Sequence, residues 1–351
     1  MDQHRFDVVT RSVRGVLPRR DVLRGLLGAG GGLAALRLSD AGAAKRKKKR
    51  KKRKRTLRCD VCRRGCRFAS VQAAVDAAAP GGTIRLCPGT YPAPVAVAKD
   101  LTLRGAGANR SILDGGGTAR ATAVLTVGPG ATVVVRALTI RGGNGNENGG
   151  GIANAGALTL DGVRVTGNVA KQGGGIAHLA GALTLVDSRL SGNEATGSSG
   201  QGGGLIVFGG TVTLDGCDVT ANEAPGSAGQ GGGLYVLNGT EVRLNGSRVT
   251  GNTAAHGGGG LFISNGAVTL TDSQVTGNET NPANASSEGG GIKITGGTVT
   301  LSGSQVTGNT AANGGGIYNS AGDTAVTVAP GSVTGNTPNN CAGQAVGNCV
   351  N

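Results

Sequence analysis

Carboxylates are the first residues here whose type and spacing suggest chemistry. Glycoside hydrolysis needs two of them about 5–10 Å apart across the scissile bond, and calcium needs several oxygens at once. Asp161, Asp187, Asp215, Asp218 and Asp272 recur through the central part of the chain, while Glu194, Glu223 and Glu279 each directly follow an Asn. Asp161 and Asp215 share one register position, and Asp187 and Asp272 another, with at least one repeat between the members of each pair. That pattern is the habit of turn-forming Asp. Glu194 and Glu223 hold one position in neighbouring repeats and are the catalytic candidates. Stacked strands would bring them about 5 Å apart, but no acid–base partner is assigned to them. His178 and His256 occur singly, in segments expected to be loops, and form no metal cluster.

The seven cysteines divide as Cys59, Cys62, Cys66 and Cys87 early, Cys217 alone, and Cys341 and Cys349 late. Cys59-x2-Cys62 has zinc-ligand spacing, which makes Cys59, Cys62, Cys66 and Cys87 a four-thiolate alternative. The second Cys-x2-Cys knuckle is missing. The other reading is disulfides, two among the first four and one joining Cys341 to Cys349.

The N-terminus favours the disulfides. Arg19 and Arg20 in PRRDVLR resemble a twin-arginine export motif, followed by the short apolar LLGAGGGLAAL and the small-residue Ala41-Gly42-Ala43, so residues 1–44 are expected to be an export signal. The Gly-diluted apolar stretch is too short for a helix across about 30 Å of hydrocarbon, and no transmembrane segment is expected in the mature chain. An exported chain lies in a disulfide-permissive compartment.

The formal charge of +15 is concentrated in this head. Residues 1–55 carry 18 Lys+Arg against 4 Asp+Glu, and residues 56–351 carry 17 against 16. Lys45 to Arg55 is an unbroken cationic run. Like charges at that density cannot bury a core, so residues 45–58 are expected to be a disordered linker. Nucleic acid is one partner for such a run, but aromatic residues for base stacking are absent around it. An anionic cell-envelope polymer suits an exported chain better, and no specific nucleic-acid binding is favoured.

Elements capable of positioning these residues come from a repeat. Asn168, Asn193, Asn222, Asn252, Asn278, Asn309 and Asn336 are spaced by 25, 29, 30, 26, 31 and 27 residues, a period of solenoids. Each unit reads GGG[IL], then [LV]TL, then a segment such as SRLSGN, three short strands rich in Thr and Val. Counting back from the Asn, Val165, Leu190, Val219, Val249, Val275, Val306 and Val333 point inward, as do Val163, Ser188, Cys217, Ser247, Ser273 and Ser304. Cys217 is thus a buried stand-in for serine. The Asn row is expected to be structural, each Asn in a left-handed turn with its amide bonded to those above and below. Arg164, Arg189, Asp218, Arg248, Gln274 and Gln305 face outward beside Thr166, Ser191, Thr220, Thr250, Thr276 and Thr307. A second outward row is Thr159, Thr184, Thr213, Arg243, Thr269 and Thr300.

The fold class expected is all-β, a right-handed parallel β-helix of three-strand coils, about nine or ten of them, with a short capping helix. Phe68, Val71, Val75 and Ala78 mark about three helical turns, with Ser70 as N-cap and Pro80-Gly81-Gly82 as the stop. This helix, the strand TIRLC and the PGTY turn resemble the N-terminal cap of right-handed β-helix proteins of the pectate-lyase-like superfamily. The GGG[IL] and [VL]TGN elements are similar to repeats of polymorphic outer-membrane proteins, although Val or Leu stands here where those repeats carry Phe. The expected organisation is a Cys-containing cap over 59–100, repeats over 101–337 and a tail over 338–351. The superfamily resemblance implies a polysaccharide lyase or hydrolase as one function. The residues themselves favour an exported, monomeric, structural or polysaccharide-binding protein, adhesin-like, with no cofactor and no evident active site.

Overall fold

A computed structural model describes residues 59–117, 122–145, 147–237, 239–321, 325–330 and 332–351. Arg19, Arg20 and the rest of residues 1–58 lie outside the described residues. From the cap onward each repeat closes one coil. In the coil ending at Ala195 the strands are Ile176–His178, Ala182–Val186 and Arg189–Ser191, followed by a fourth strand of two residues, Glu194–Ala195. Each pairs in parallel with its equivalent one coil away. The third strands build a 10-stranded sheet, and the post-Asn strands a 5-stranded one. The first two strand types merge into one 18-stranded sheet, because Leu261–Thr271 and Ile292–Ser302 run unbroken through the corner. Nine intervals along the 10-stranded sheet give a stack about 43 Å long.

Alternation decides what fills the interior. Leu158, Leu183, Val212, Val242, Val268 and Val299 form one fully buried ladder, and Val165, Leu190, Val219, Val249, Val275 and Val306 another. Each such side chain contributes about 1.5–3 kcal/mol by leaving water.

Two polar ladders run beside the aliphatic ones. Asn193 Nδ2 donates to Asn222 Oδ1 at 2.9 Å and to the Val165 carbonyl at 3.0 Å. Its Oδ1 accepts from Asn168 Nδ2 at 2.9 Å and from the Asn168 backbone N–H at 3.2 Å. The amide is saturated, as a buried polar group must be. The same pattern continues to Asn336, whose Nδ2 donates to Asn340 Oδ1 at 3.2 Å. The left-handed residue is not the Asn, as expected, but the one before it, such as Gly192 at φ 59° or Ala221 at φ 51°. The inward hydroxyls do similar work: Ser247 Oγ accepts from the Cys217 N–H at 3.0 Å, and Ser273 Oγ from the Ser247 N–H at 3.1 Å.

Glycine clears the space for the Asn row. A Cβ on Gly174 would stand 2.2 Å from the Glu194 carbonyl oxygen, and one on Gly175 would stand 3.0 Å from Asn193 Cγ. The first approach is closer than side chains allow and the second tighter than most show, while the Gly204 carbonyl oxygen crowds a Gly175 Cβ more closely still, so the triplet is steric as well as conformational.

The cap helix spans only Val71–Ala77, about two turns rather than three. Ser70 Oγ accepts from the Ala73 N–H, but Ala78 has left helical geometry at ψ 140° and Phe68 lies before the start. Proximity of Pro80 and the extended backbone leading to Gly82–Arg85 end it early. Cys59 bonds to Cys87 and Cys62 to Cys66, which consumes all four sulfurs and rules out the four-thiolate zinc alternative. Cys341 bonds to Cys349 across the C-terminal tail. Cys217 is free and buried, and burial pushes its thiol up to about 11, so it is inert.

The ladders make opposite predictions for two nearby positions. Asn222→Leu leaves the Asn193 N–H and one of its two Nδ2 hydrogens without acceptors and should destabilise by several kcal/mol, at about 1–3 kcal/mol per stranded group. Cys217→Ser restores an oxygen in a serine row and should hold or raise stability by up to about 1 kcal/mol. Thermal unfolding of the two variants checks both.

Candidate functional site

Whatever the scaffold does not need faces outward. On the 10-stranded sheet, Arg164, Arg189, Asp218, Arg248, Gln274 and Gln305 stack in strict register, as do Thr166, Ser191, Thr220, Thr250, Thr276 and Thr307 one pleat away. The first row is exposed apart from half-buried Asp218, and the hydroxyl row is half-buried. Asp218 is held by Arg248 at 2.7 Å, Arg189 donates to Thr220 Oγ1 at 3.1 Å, and Ser191 Oγ donates to Thr166 Oγ1 at 3.2 Å. The result is a flat strip whose guanidinium, amide and hydroxyl groups can bond several units of an extended polymer at once. The row Thr159, Thr184, Thr213, Arg243, Thr269 and Thr300 is also in register on the neighbouring face.

Glu194 and Glu223 are Cα partners on the 5-stranded sheet, so the structure brings this pair together. Val169 flanks them on one side and Thr253 on the other. Neither carboxylate has an ion-pair partner among the described residues. A shallow groove of about 680 Å³ is bounded by Glu147, Lys171, Gln172, Thr196 and Ser198, and neither Glu194 nor Glu223 lines it. Its one cation, Lys171, is taken by Glu147 at 2.6 Å. Asp187 and Asp272 sit at φ 46° and 49° in turns, and Asp161 is paired with Arg136. Among the described residues no three His, Cys, Asp or Glu side chains are grouped to hold a metal ion.

A family model for right-handed β-helix regions matches residues 123–333, more than half of the chain. The chain belongs to this family. The crystal structure of pectate lyase Pel9A is similar to this β-helix over 80% of this chain and 73% of that one, at 17% identity and a TM-score of 0.42. At that level it carries neither a residue nor an activity across. No curated protein matches the chain.

Two features of this β-helix escape a reading by repeat. Within the GGG[IL] strands, on the face away from the aliphatic core, Tyr235 and Phe262 stack at 4.9 Å, and Lys293 Nζ lies 5.5 Å over Phe262 while pairing with Glu288 at 2.7 Å. The signal was present in the residue directly after each triplet's Ile or Leu, which runs Ala177, Ile206, Tyr235, Phe262, Lys293. The other feature is His178, which lies inside a strand, not a loop, and is fully buried. Its Nδ1 meets Asn154 Nδ2 at 2.9 Å, and its Nε2 has no hydrogen-bond partner among the described residues.

Burial lowers the His178 pKa, against smaller opposing effects of the Gly181 and Thr211 backbone. The unfolded chain therefore binds a proton at higher pH than the native β-helix does. Stability from this site is complete above about pH 6.5, the ordinary histidine value, and is lost as pH falls from there toward the lowered native pKa. His178→Leu should flatten that acid-side decline in a series of denaturant titrations from pH 8 to 5.

Proposed function

We propose that this is an exported, envelope-associated or extracellular β-helix that binds extended polysaccharide or a similar envelope polymer through its outer faces, in a structural or adhesin-like role rather than a catalytic one. The observation that carries the reading is the paired outward strip, Arg164 to Gln305 beside Thr166 to Thr307, repeated at one coil spacing with nothing in the core requiring those side chains. Three disulfides support an oxidising compartment. Among the described residues no helix is long and apolar enough to cross a membrane.

A polysaccharide lyase or hydrolase is the second reading, favoured by Glu194 and Glu223 standing as partners on neighbouring coils. Catalysis by such a pair requires a positioned acid and base, and the groove's Lys171 is already neutralised by Glu147.

Affinity electrophoresis of the full chain through gels containing neutral or acidic glycans should show retardation. Parallel assays for unsaturated products and new reducing ends should show no turnover. Glu194→Gln with Glu223→Gln should leave retardation unchanged, whereas turnover that this double variant abolishes would establish the enzymatic reading instead.

A further inference from the structure

Charge is nearly balanced over the repeats and cap taken together, but it is not balanced along them. Residues 56–190 carry 14 Lys+Arg against 7 Asp+Glu, a net +7, and residues 191–351 carry 3 against 9, a net −6. Coils near the cap are therefore basic and those near the C-terminus acidic.

The basic excess is ordered. Arg85, Arg104 and Arg136 are Cα partners on three successive coils, and Arg164 and Arg189 are partners on the next two. Like charges directly opposite one another in a ladder are destabilising. Elsewhere the chain relieves its arginines with acids: Arg141 pairs with Asp114, Arg243 with Glu241 and Arg248 with Asp218. Within the stacks, Arg85 pairs with Asp60 and Arg136 with Asp161. Arg104, Arg110, Arg164 and Arg189 have no carboxylate partner among the described residues, and all four are exposed. Arg164 is held by Asn109, the neighbour of Arg110, so a loop of an earlier coil joins the two basic positions. These arginines follow the corner between the long sheet and the 10-stranded sheet, Arg104 and Arg110 on one coil, paired Arg136 on the next, and Arg164 and Arg189 on the two after it.

We propose that this corner, Arg104, Arg110, Arg164 and Arg189, is a binding site for a linear polymer bearing carboxylate or phosphate oxyanions, and that it attaches the stack by its cap-proximal coils while the acidic coils are repelled. The inference rests on the binding reading above and adds ligand charge, location and orientation to it. Guanidinium presents a planar fork of donors that matches either oxyanion. One exposed pair contributes little, but a polymer that engages successive coils gains from each further contact at high effective concentration. Binding by this site releases counterions and weakens as salt rises.

The test uses the full chain with three probes: alginate for carboxylate, inorganic polyphosphate for phosphate, and dextran as a neutral polymer. Arginine modification by phenylglyoxal, read by peptide mass spectrometry, should slow at least fivefold at Arg104, Arg110, Arg164 and Arg189 when polyanion is added. Arg243, on the acidic half, should react unchanged. The variant R104Q/R110Q/R164Q/R189Q should lose at least tenfold in affinity at low salt, with a salt dependence shallower by about one unit per arginine removed. Protection with only one polyanion identifies the oxyanion and supports the site. Polyanion binding without protection at these four positions overturns it. Retention by dextran with no polyanion binding overturns it too but leaves the binding reading standing, and absence of binding to all three probes removes both.

Discussion

The saturated amide of the buried Asn is the interaction on which the other positions depend. Each Asn both gives to and takes from its neighbour one coil away, so the carboxamides must stack at the strand spacing and in one orientation. That requirement fixes the left-handed residue before it, because the chain must reverse to aim the amide inward. It also fixes the glycine opposite, since any Cβ on Gly175 would press on the Asn193 side chain. Once those places are set, strand alternation decides which residues are core and which face water. The aliphatic ladders supply the larger share of the stabilisation, but they would tolerate a slip in register that the amide row does not.

A scaffold so tightly prescribed leaves only the outward positions free to vary. Arg, Gln and Thr on the 10-stranded sheet, the carboxylates after the Asn, and the aromatic stack by Lys293 all sit where the repeat is silent. The carboxylates of Glu194 and Glu223 approach each other for a topological reason, equal position on neighbouring coils, without any group to distinguish an acid from a base. Arginines on the cap-proximal coils approach one another for the same topological reason and carry the same like-charge cost.

Most of the fold was legible because a period near 28 residues and a fixed Asn give the register directly, and register gives inward and outward faces. Val165 and its equivalents, Ser247 and its equivalents, and Cys217 follow from counting alone. What was not legible depended on short or three-dimensional facts. Glu194–Ala195 is too brief to show alternation. The turn residue was misassigned because Gly and Asn both tolerate left-handed backbone, and Ala221 in that place gives no propensity signal at all. His178 looked like a loop residue since polarity suggests exposure, while its strand position puts it inside with Asn154. The arginine corner was hidden by summation: acids and bases cancel over the folded chain, and only register shows them on separate coils.

The last rung has a simple termination. Asn336 finds, in place of an eighth repeat, Asn340 of its own tail, whose carboxamide oxygen accepts the bond that a further coil would have accepted. A tail stapled through Cys341 and Cys349 thereby imitates one rung and ends the series. Since the strand ladders join each coil only to its neighbours, and the cap and tail lie outside the repeats, copy number is a free variable of this architecture. Duplication or loss of a whole unit would alter the reach of the molecule in steps of one strand spacing, while leaving every remaining bond in the ladder as it was.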